Sequence, residues 1–385
     1  MKLTQHIASI GVLAPEVQRV DVSFSTPYGT TYNAYLVRGE KTALIETVPA
    51  AFGAEYISNI EKIMAIEQID YVIFNHTAPE HGGMLGALLE KNPEIGVVAT
   101  IAGLKNLQGI VNQPFQEILA KDGMQLDLGD DVLLEFLIVP NLPWPDTMFT
   151  YFAKEKTLFS GDAMSAHTCD DARYGECFSK FFRHVIAPQK IFLKKAMERI
   201  SILEIQRICP SHGPILCEKA KEAIEKYTAW SARQENHPKR IAVFYTSATG
   251  FTKQLAEACR SALLDTDADV QMYDVAECRE ETIRQALEGA DGILIGTPTI
   301  NRNAPKPIWD VFSCIDAVAM QQIPVGIFGV CGWSGEACTL LAQHAKALRL
   351  NVFETPQKVI FCPAKEDLDR IKAYAMRFYE AVCEI

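Results

Sequence analysis

The sequence contains 11 cysteines but no C-x-x-C pair. That absence excludes a rubredoxin-like or zinc-ribbon cassette, and scattered thiols in odd number suit a reducing compartment better than a disulfide framework. The cysteines read as small core residues. No run approaches the roughly 18–20 apolar residues of a membrane helix. The first residues, Met1-Lys2-Leu3-Thr4-Gln5-His6, lack the regions of a signal peptide, so a cytoplasmic location is expected. Positive charge is also scarce. The 37 Lys and Arg against 48 Asp and Glu leave a net charge of −11, which disfavours nucleic acid and anionic membranes as partners.

What remains is a globular composition, 48% hydrophobic and 22% charged, in a chain whose 385 residues exceed one ordinary domain. The polar stretch Ser231–Arg240, which contains Pro238, marks a seam and predicts domains over 1–236 and 237–385. Before the seam, strand-like runs dominate: Val20–Phe24, Tyr32–Val37, Thr42–Ile45, Tyr71–Phe74, Val97–Ala99, Val132–Val139 and Leu158–Ser160. Helical stretches at Ala50–Met64 and Gly83–Lys91 alternate with only some of them, which predicts sheets flanked by helices. After the seam, five short apolar strands (Ile241–Tyr245, Val270–Tyr273, Ile293–Ile295, Val325–Phe328, Val359–Phe361) alternate with helices. That rhythm predicts a doubly wound parallel sheet, with any ligand at the carboxyl ends of its strands.

Three loops at those ends carry binding chemistry. The first is Ser247-Ala248-Thr249-Gly250-Phe251-Thr252, where three hydroxyls and a glycine open a helix. Hydroxyls, backbone N–H groups and a helix N-terminus together suit a phosphate, and the absence of lysine disfavours a nucleoside-triphosphate loop. The pattern resembles the phosphate loop of flavodoxins. The second loop supplies Thr297, Pro298, Thr299, Asn301 and Asn303, and the third supplies Cys331, Gly332, Trp333 and Gly335. Their backbone and amide groups suit the polar edge of an isoalloxazine, and Trp333 its apolar face. Three such loops in order on one βα array predict bound FMN.

In the first half, the strand Tyr71–Phe74 runs into His76, Glu80 and His81, and further strand ends deliver Asp162 and His212. Imidazole and carboxylate donors suit zinc or iron. The reading without a metal, in which these are strand-end turn residues, remains open from the residues alone.

These features together resemble the flavodiiron proteins, or A-type flavoproteins, over essentially the whole chain. The likeness rests on Thr31–Leu36, Leu44–Val48, the Asn75–Gly83 loop, Trp144–Tyr151, the Asp162 and His212 turns and the three flavin loops. It implies an α/β two-domain fold, with an N-terminal metallo-β-lactamase-like αββα sandwich and a C-terminal flavodoxin-like sheet. In the family, a diiron centre reduces O2 or NO with electrons from FMN. The resemblance also implies a redox protein or flavoprotein as electron donor, and a head-to-tail homodimer in which one chain's flavin adjoins the other's metal pocket.

The sequence departs from the family where the chemistry happens. The family loop H-x-E-x-D-H is here His76-x-Ala78-x-Glu80-His81, and a family ligand His before the Trp144–Tyr151 stretch is here Pro143. By the resemblance, His76, Ala78 and Pro143 correspond to ligands of the iron nearer the flavin. Glu80, His81 and His212 correspond to those of the other iron, with Asp162 bridging. The expectation is at most one iron or zinc ion per chain and FMN-dependent electron transfer, within a larger redox assembly. O2 or NO reduction at a rebuilt centre is the alternative, and metal-dependent hydrolysis a third.

Overall fold

The computed structural model describes every residue except 22–23, 232–237, 319 and 385. The chain divides into two compact units, Met1–Arg233 and Gln234–Ile385. The predicted boundary between residues 236 and 237 falls on a segment outside the described residues.

The first unit is built on two sheets. One has six strands in the order Ile7–Ser9, Tyr35–Arg38, Thr42–Ile45, Tyr71–Ile73, Gly96–Ala99 and Gln116–Leu119. The last four run parallel, and the first two pairings are antiparallel. The other sheet has five strands, Gln125–Asp127, Leu133–Ile138, Met148–Phe152, Thr157–Gly161 and Arg207–Pro210. Side chains from both, including Val37, Ile45, Ile73, Val98, Phe136, Phe152 and Phe159, meet in one buried layer. The far face of the first sheet packs with the helices Gly53–Glu61, Leu85–Lys91 and Ile101–Val111. The far face of the second packs with Tyr174–Phe181, Lys190–Ile200 and Ala220–Ser231. The result is an αββα sandwich. Strands covered on both faces are nearly all apolar, as in Thr42–Ile45 and Gly96–Ala99, where every residue is buried.

Two of the expected strands are divided. The run Tyr32–Val37 becomes Thr30–Tyr32 and Tyr35–Arg38. Asn33 makes the break: its N–H donates to the Ser211 carbonyl, and its Nδ2 donates to the carbonyls of Pro210 at 2.9 Å and Gly213 at 2.8 Å. The run Val20–Phe24 becomes Arg19–Val20 paired with Phe24–Ser25, and Val22 and Ser23 lie outside the described residues.

The second unit is an all-parallel sheet in the order Asp269–Asp274, Arg240–Tyr245, Gly292–Pro298, Pro324–Cys331, with Asn351–Val352 and Gln357–Ile360 both pairing with the last of these. The helices Glu280–Glu288, Lys306–Ser313 and Glu336–Ala347 cover one face, and Phe251–Leu263 and Lys365–Cys383 cover the other. The strand order reverses beside Arg240–Tyr245, which places a switch point there. No helix among the described residues is long and apolar enough to cross a membrane.

Candidate functional site

Strand ends of both sheets in the first unit deliver the candidate metal ligands to one pocket. His76 follows Tyr71–Ile73, Glu80 and His81 lie on the short turn Pro79–Gly82, Asp162 follows Thr157–Gly161, and His212 follows Arg207–Pro210. Asp162 is the hub. Its carboxylate lies 3.4 Å from His81 Nε2, 3.6 Å from His212 Nε2 and 3.9 Å from His76 Nε2. Glu80 joins from the side, 3.7 Å from His81 Nε2. The donor atoms of His76, His81 and Asp162, and those of Glu80, His81 and His212, form two groups, each spanning no more than 4.8 Å. All five expected ligands are thus brought together.

Each of the three imidazoles turns its other nitrogen to an acceptor. His76 Nδ1 lies 3.2 Å from both Asp146 oxygens, His81 Nδ1 lies 3.4 Å from Glu46 Oε2, and His212 Nδ1 lies 2.7 Å from the Thr31 carbonyl. An acceptor at Nδ1 keeps a proton on that nitrogen and reserves Nε2, on the Asp162 side, for a metal, the arrangement that holds metal-ligating histidines. Glu46 and Asp146 are themselves held. Glu46 Oε1 accepts the Asn75 N–H at 2.9 Å, and Asp146 Oδ2 accepts the backbone N–H and the hydroxyl of Thr77. Gly213 closes the His212 turn at φ +83°, where any Cβ would stand 2.4 Å from the Ala166 carbonyl oxygen.

The electrostatics of the pocket suit a cation. His81 Nε2 and Asp162 Oδ1 are both buried without a hydrogen-bond partner, since their contact lacks the direction of a hydrogen bond. Burial opposes charge on His81, but the Asp162 carboxylate, with Glu46 and Glu80, outweighs it and holds the imidazole pKa well above the ordinary value. Burial likewise opposes ionisation of Glu80, yet His81 and His212 pull its pKa down to about 2. Asp162 is depressed further, against burial, by His81, His76 and His212. His167, behind His212, is held neutral: burial and then the charge of His212 push its pKa down to about 3. Three imidazoles and two carboxylates with unpartnered atoms between them suit a zinc- or iron-type cation.

At the two altered positions, Ala78 is buried and brings no donor, and Pro143, half-buried, follows a cis peptide from Leu142. Trp144, half exposed, sets its ring edge-on to His76 with centroids 5.0 Å apart. The sequence reading missed Glu46, Asp146, Thr31 and His167.

The flavin loops of the second unit lie at the carboxyl ends of adjacent strands, around the switch point. Gly250 stands at φ +84° ahead of the helix Phe251–Leu263 and gives no side-chain cap, while Ser247 Oγ accepts the Lys253 N–H at 3.3 Å. Ala248 and Thr249 are exposed at the crown of this loop, Phe251 is half-buried, and Thr252 is buried on the first helical turn. In the second loop, Ile300 and Asn303 pair across Asn301 and Arg302, both at positive φ, in a two-residue hairpin turn. The Thr299 N–H donates to the Val330 carbonyl at 2.9 Å, joining this loop to the neighbouring strand. Pro298 and Thr299 are half-buried and Asn301 is exposed. Thr297 and Cys331 support the loops from within, and Asn303 does so from the surface. The Thr297 hydroxyl donates to the Pro298 carbonyl, Asn303 Oδ1 accepts Trp309 Nε1–H at 3.1 Å, and the Cys331 thiol faces the Val359 carbonyl. In the third loop Trp333 is 86% exposed, Gly332 lies under the Phe361 ring, and Gly335 takes φ +74° before the helix Glu336–Ala347. Arg302 Nε lies 3.6 Å from Glu336, which also accepts the Ser334 hydroxyl, so an exposed ion pair links the second and third loops.

Comparison with known proteins agrees with this division. Residues 30–213 match the family model described as ODP family beta lactamase, and residues 239–364 match NADPH-dependent FMN reductase. The chain is 34% identical over 397 residues to flavo-diiron protein FprA2 of Clostridium acetobutylicum, covering 99% of each. It is 30% identical over 384 residues to type A flavoprotein fprA of Rhodobacter capsulatus, covering 96% of this chain and 88% of that one. Among solved structures, rubredoxin oxygen:oxidoreductase from Desulfovibrio gigas superposes with a TM-score of 0.76 at 26% identity, covering 100% of this chain and 98% of that one. The sandwich with its imidazole–carboxylate pocket, the doubly wound sheet with its three loops, and these full-length likenesses identify the chain as a member of the flavodiiron, or type A flavoprotein, family and a flavin-dependent oxidoreductase of that type.

Proposed function

We propose that this protein is an FMN-dependent electron-transfer oxidoreductase whose metallo-β-lactamase-like unit holds one metal ion in place of a diiron pair. The observation that carries the proposal is the convergence of three Nε2 atoms on Asp162, with His81 Nε2 and Asp162 Oδ1 buried and unpartnered, beside an Ala78 and a Pro143 that offer no donor. Glu80, His81, His212 and Asp162 are the assigned ligands, and His76 stands ready as a fifth. Ser247, Thr249 and Thr252, with the backbone of Ala248, Gly250 and Phe251, are assigned to the flavin phosphate, and Thr299, Asn301 and Trp333 to the ring. Bound FMN supplies one- and two-electron chemistry at this site.

The protein's own part is to bind and orient. The hydroxyl loop and the amides at the start of Phe251–Leu263 receive the phosphate, and the hairpin turn at Asn301 and Arg302 presents backbone groups to the ring edge. Asp146 and Thr31 hold His76 and His212 with Nε2 inward, and Glu46 stands 3.4 Å from the far nitrogen of His81. Rubredoxin and oxygen appear in the name of the Desulfovibrio relative. For this chain we propose a redox protein or flavoprotein as donor, a head-to-tail homodimer, and a place in a larger redox assembly, in the cytoplasm.

The test is repair. Ala78→Glu with Pro143→His restores the missing carboxylate and imidazole, and the double variant is expected to take up a second metal and gain reduction of O2 or NO. A parent that already turns over O2 at the rate of the repaired variant would overturn the single-metal reading and favour a reductase with a rebuilt centre.

A further inference from the structure

We infer that His167 is a positioning residue for the metal pocket, fixing the ring plane of His212 without binding the metal itself. The inference rests on the single-metal reading and adds a residue that the sequence motif does not mark. His167 is buried, and its ring lies against that of His212 with centroids 4.3 Å apart and planes inclined by 41°. It belongs to neither of the groups whose donor atoms converge at Asp162.

A hydrogen-bonded segment joins the two imidazoles a second time. The Thr30 hydroxyl donates to the Thr31 carbonyl at 3.2 Å, and that carbonyl also accepts the His212 Nδ1–H at 2.7 Å. The Thr30 oxygen also lies 2.7 Å from His167 Nδ1, within hydrogen-bond distance. His167, Thr30, Thr31 and His212 thus form one connected set. The remaining sides of His167 are closed by Phe24 and Phe181, with centroids at 5.3 and 5.2 Å. An imidazole on a χ2 torsion turns easily, because sp³–sp² torsions have broad wells. Here a ring contact and a shared carbonyl both resist that turn, and His212 Nε2 stays directed at Asp162.

The experiment uses the full-length flavin-loaded protein and cobalt(II) alone as the probe. His167→Phe keeps a flat ring against His212 and removes the N–H. Thr30→Val removes the hydroxyl at nearly unchanged volume and leaves both imidazoles in place. Both are expected to lose about 10–100-fold in cobalt affinity, as outer-sphere changes commonly do. Both are also expected to shift the cobalt d–d bands while flavin content stays at the parental value. Should His167→Phe fail to fold, Thr30→Val decides. Parental cobalt affinity and spectrum in both folded variants would overturn the inference alone, as would a lower melting temperature with an unchanged spectrum. A parent that takes up no cobalt would overturn the single-metal reading and this inference with it.

Discussion

The metal pocket and the flavin loops are built on opposite plans. The pocket is a buried set of side chains drawn from strand ends far apart in sequence, and each ligand is oriented by a partner from elsewhere: Asp146 lies 70 residues from His76, and Thr31 lies 181 residues from His212. Each flavin loop is a short contiguous stretch, largely exposed and rich in backbone and hydroxyl groups. A buried constellation can lose two ligands and keep the rest in register, because the second sheet, the Asp162 turn and the His212 turn are held by the core. Its chemistry then changes while its fold does not. A contiguous loop keeps its function in the string of residues itself.

The largest expected effect falls on the hub of the pocket. Asp162→Asn removes the charge that three imidazoles face and leaves a protonated His81 without its principal partner. Breaking a buried pair in this way costs on the order of 3–5 kcal/mol, so the variant should melt well below the parent and retain no tightly bound metal. Parental stability in urea unfolding would show that the pocket's charges do not depend on Asp162.

Next comes the phosphate loop. Replacing Thr249 and Thr252 together by Ala removes hydroxyl donors to a charged group, each worth roughly 1.5–3 kcal/mol. FMN should dissociate on dilution, as followed by flavin fluorescence. Undiminished retention would move the phosphate to another loop.

A smaller effect separates the two sites by pH. In the metal-free pocket His81 holds its proton, because neighbouring carboxylates raise its pKa despite burial. A metal at Nε2 must displace that proton, so metal affinity should rise with pH, on the order of tenfold per unit for each proton released. Glu80, at about 2, stays ionised across the neutral range and adds no slope there. Its depressed pKa stabilises the fold above the unfolded carboxylate value of about 4, and that contribution fades as pH falls toward about 2. FMN affinity should be flat over the same neutral range. Cobalt titrations between about pH 6 and 8 that show no slope would mean that His81 is not a ligand.

The smallest change is expected at the ion pair between the flavin loops. Arg302 is 82% exposed on its side chain, and exposed pairs contribute little. Glu336→Gln should leave FMN affinity within about twofold of the parent. A large loss would mean that the pair, rather than the loop backbones, sets the flavin site.

The same contrast explains what could be read from the sequence. The five strands and their helices in the second unit follow from apolar runs and their spacing, and the loop Ser247–Thr252 lies where that rhythm puts it. In the first unit, Tyr174–Phe181 went unrecognised, although its buried Tyr174, Cys177, Phe178 and Phe181 fall at helical spacing. The break at Asn33 was not visible, because its cause is a set of contacts to Pro210, Ser211 and Gly213 in a distant turn. The candidate ligands His76, Glu80, His81, Asp162 and His212 could be picked out by type at strand ends. Glu46, Asp146 and His167 could not be ranked above other acids and histidines, since what distinguishes them is which ring nitrogen or ring face they meet.

The most direct measurement of the central claim is elemental analysis of purified, iron-reconstituted protein alongside its flavin absorbance. The account predicts no more than one tightly held metal ion for each FMN. Two irons for each FMN would contradict it, and would mean that other groups have replaced the ligands absent at Ala78 and Pro143.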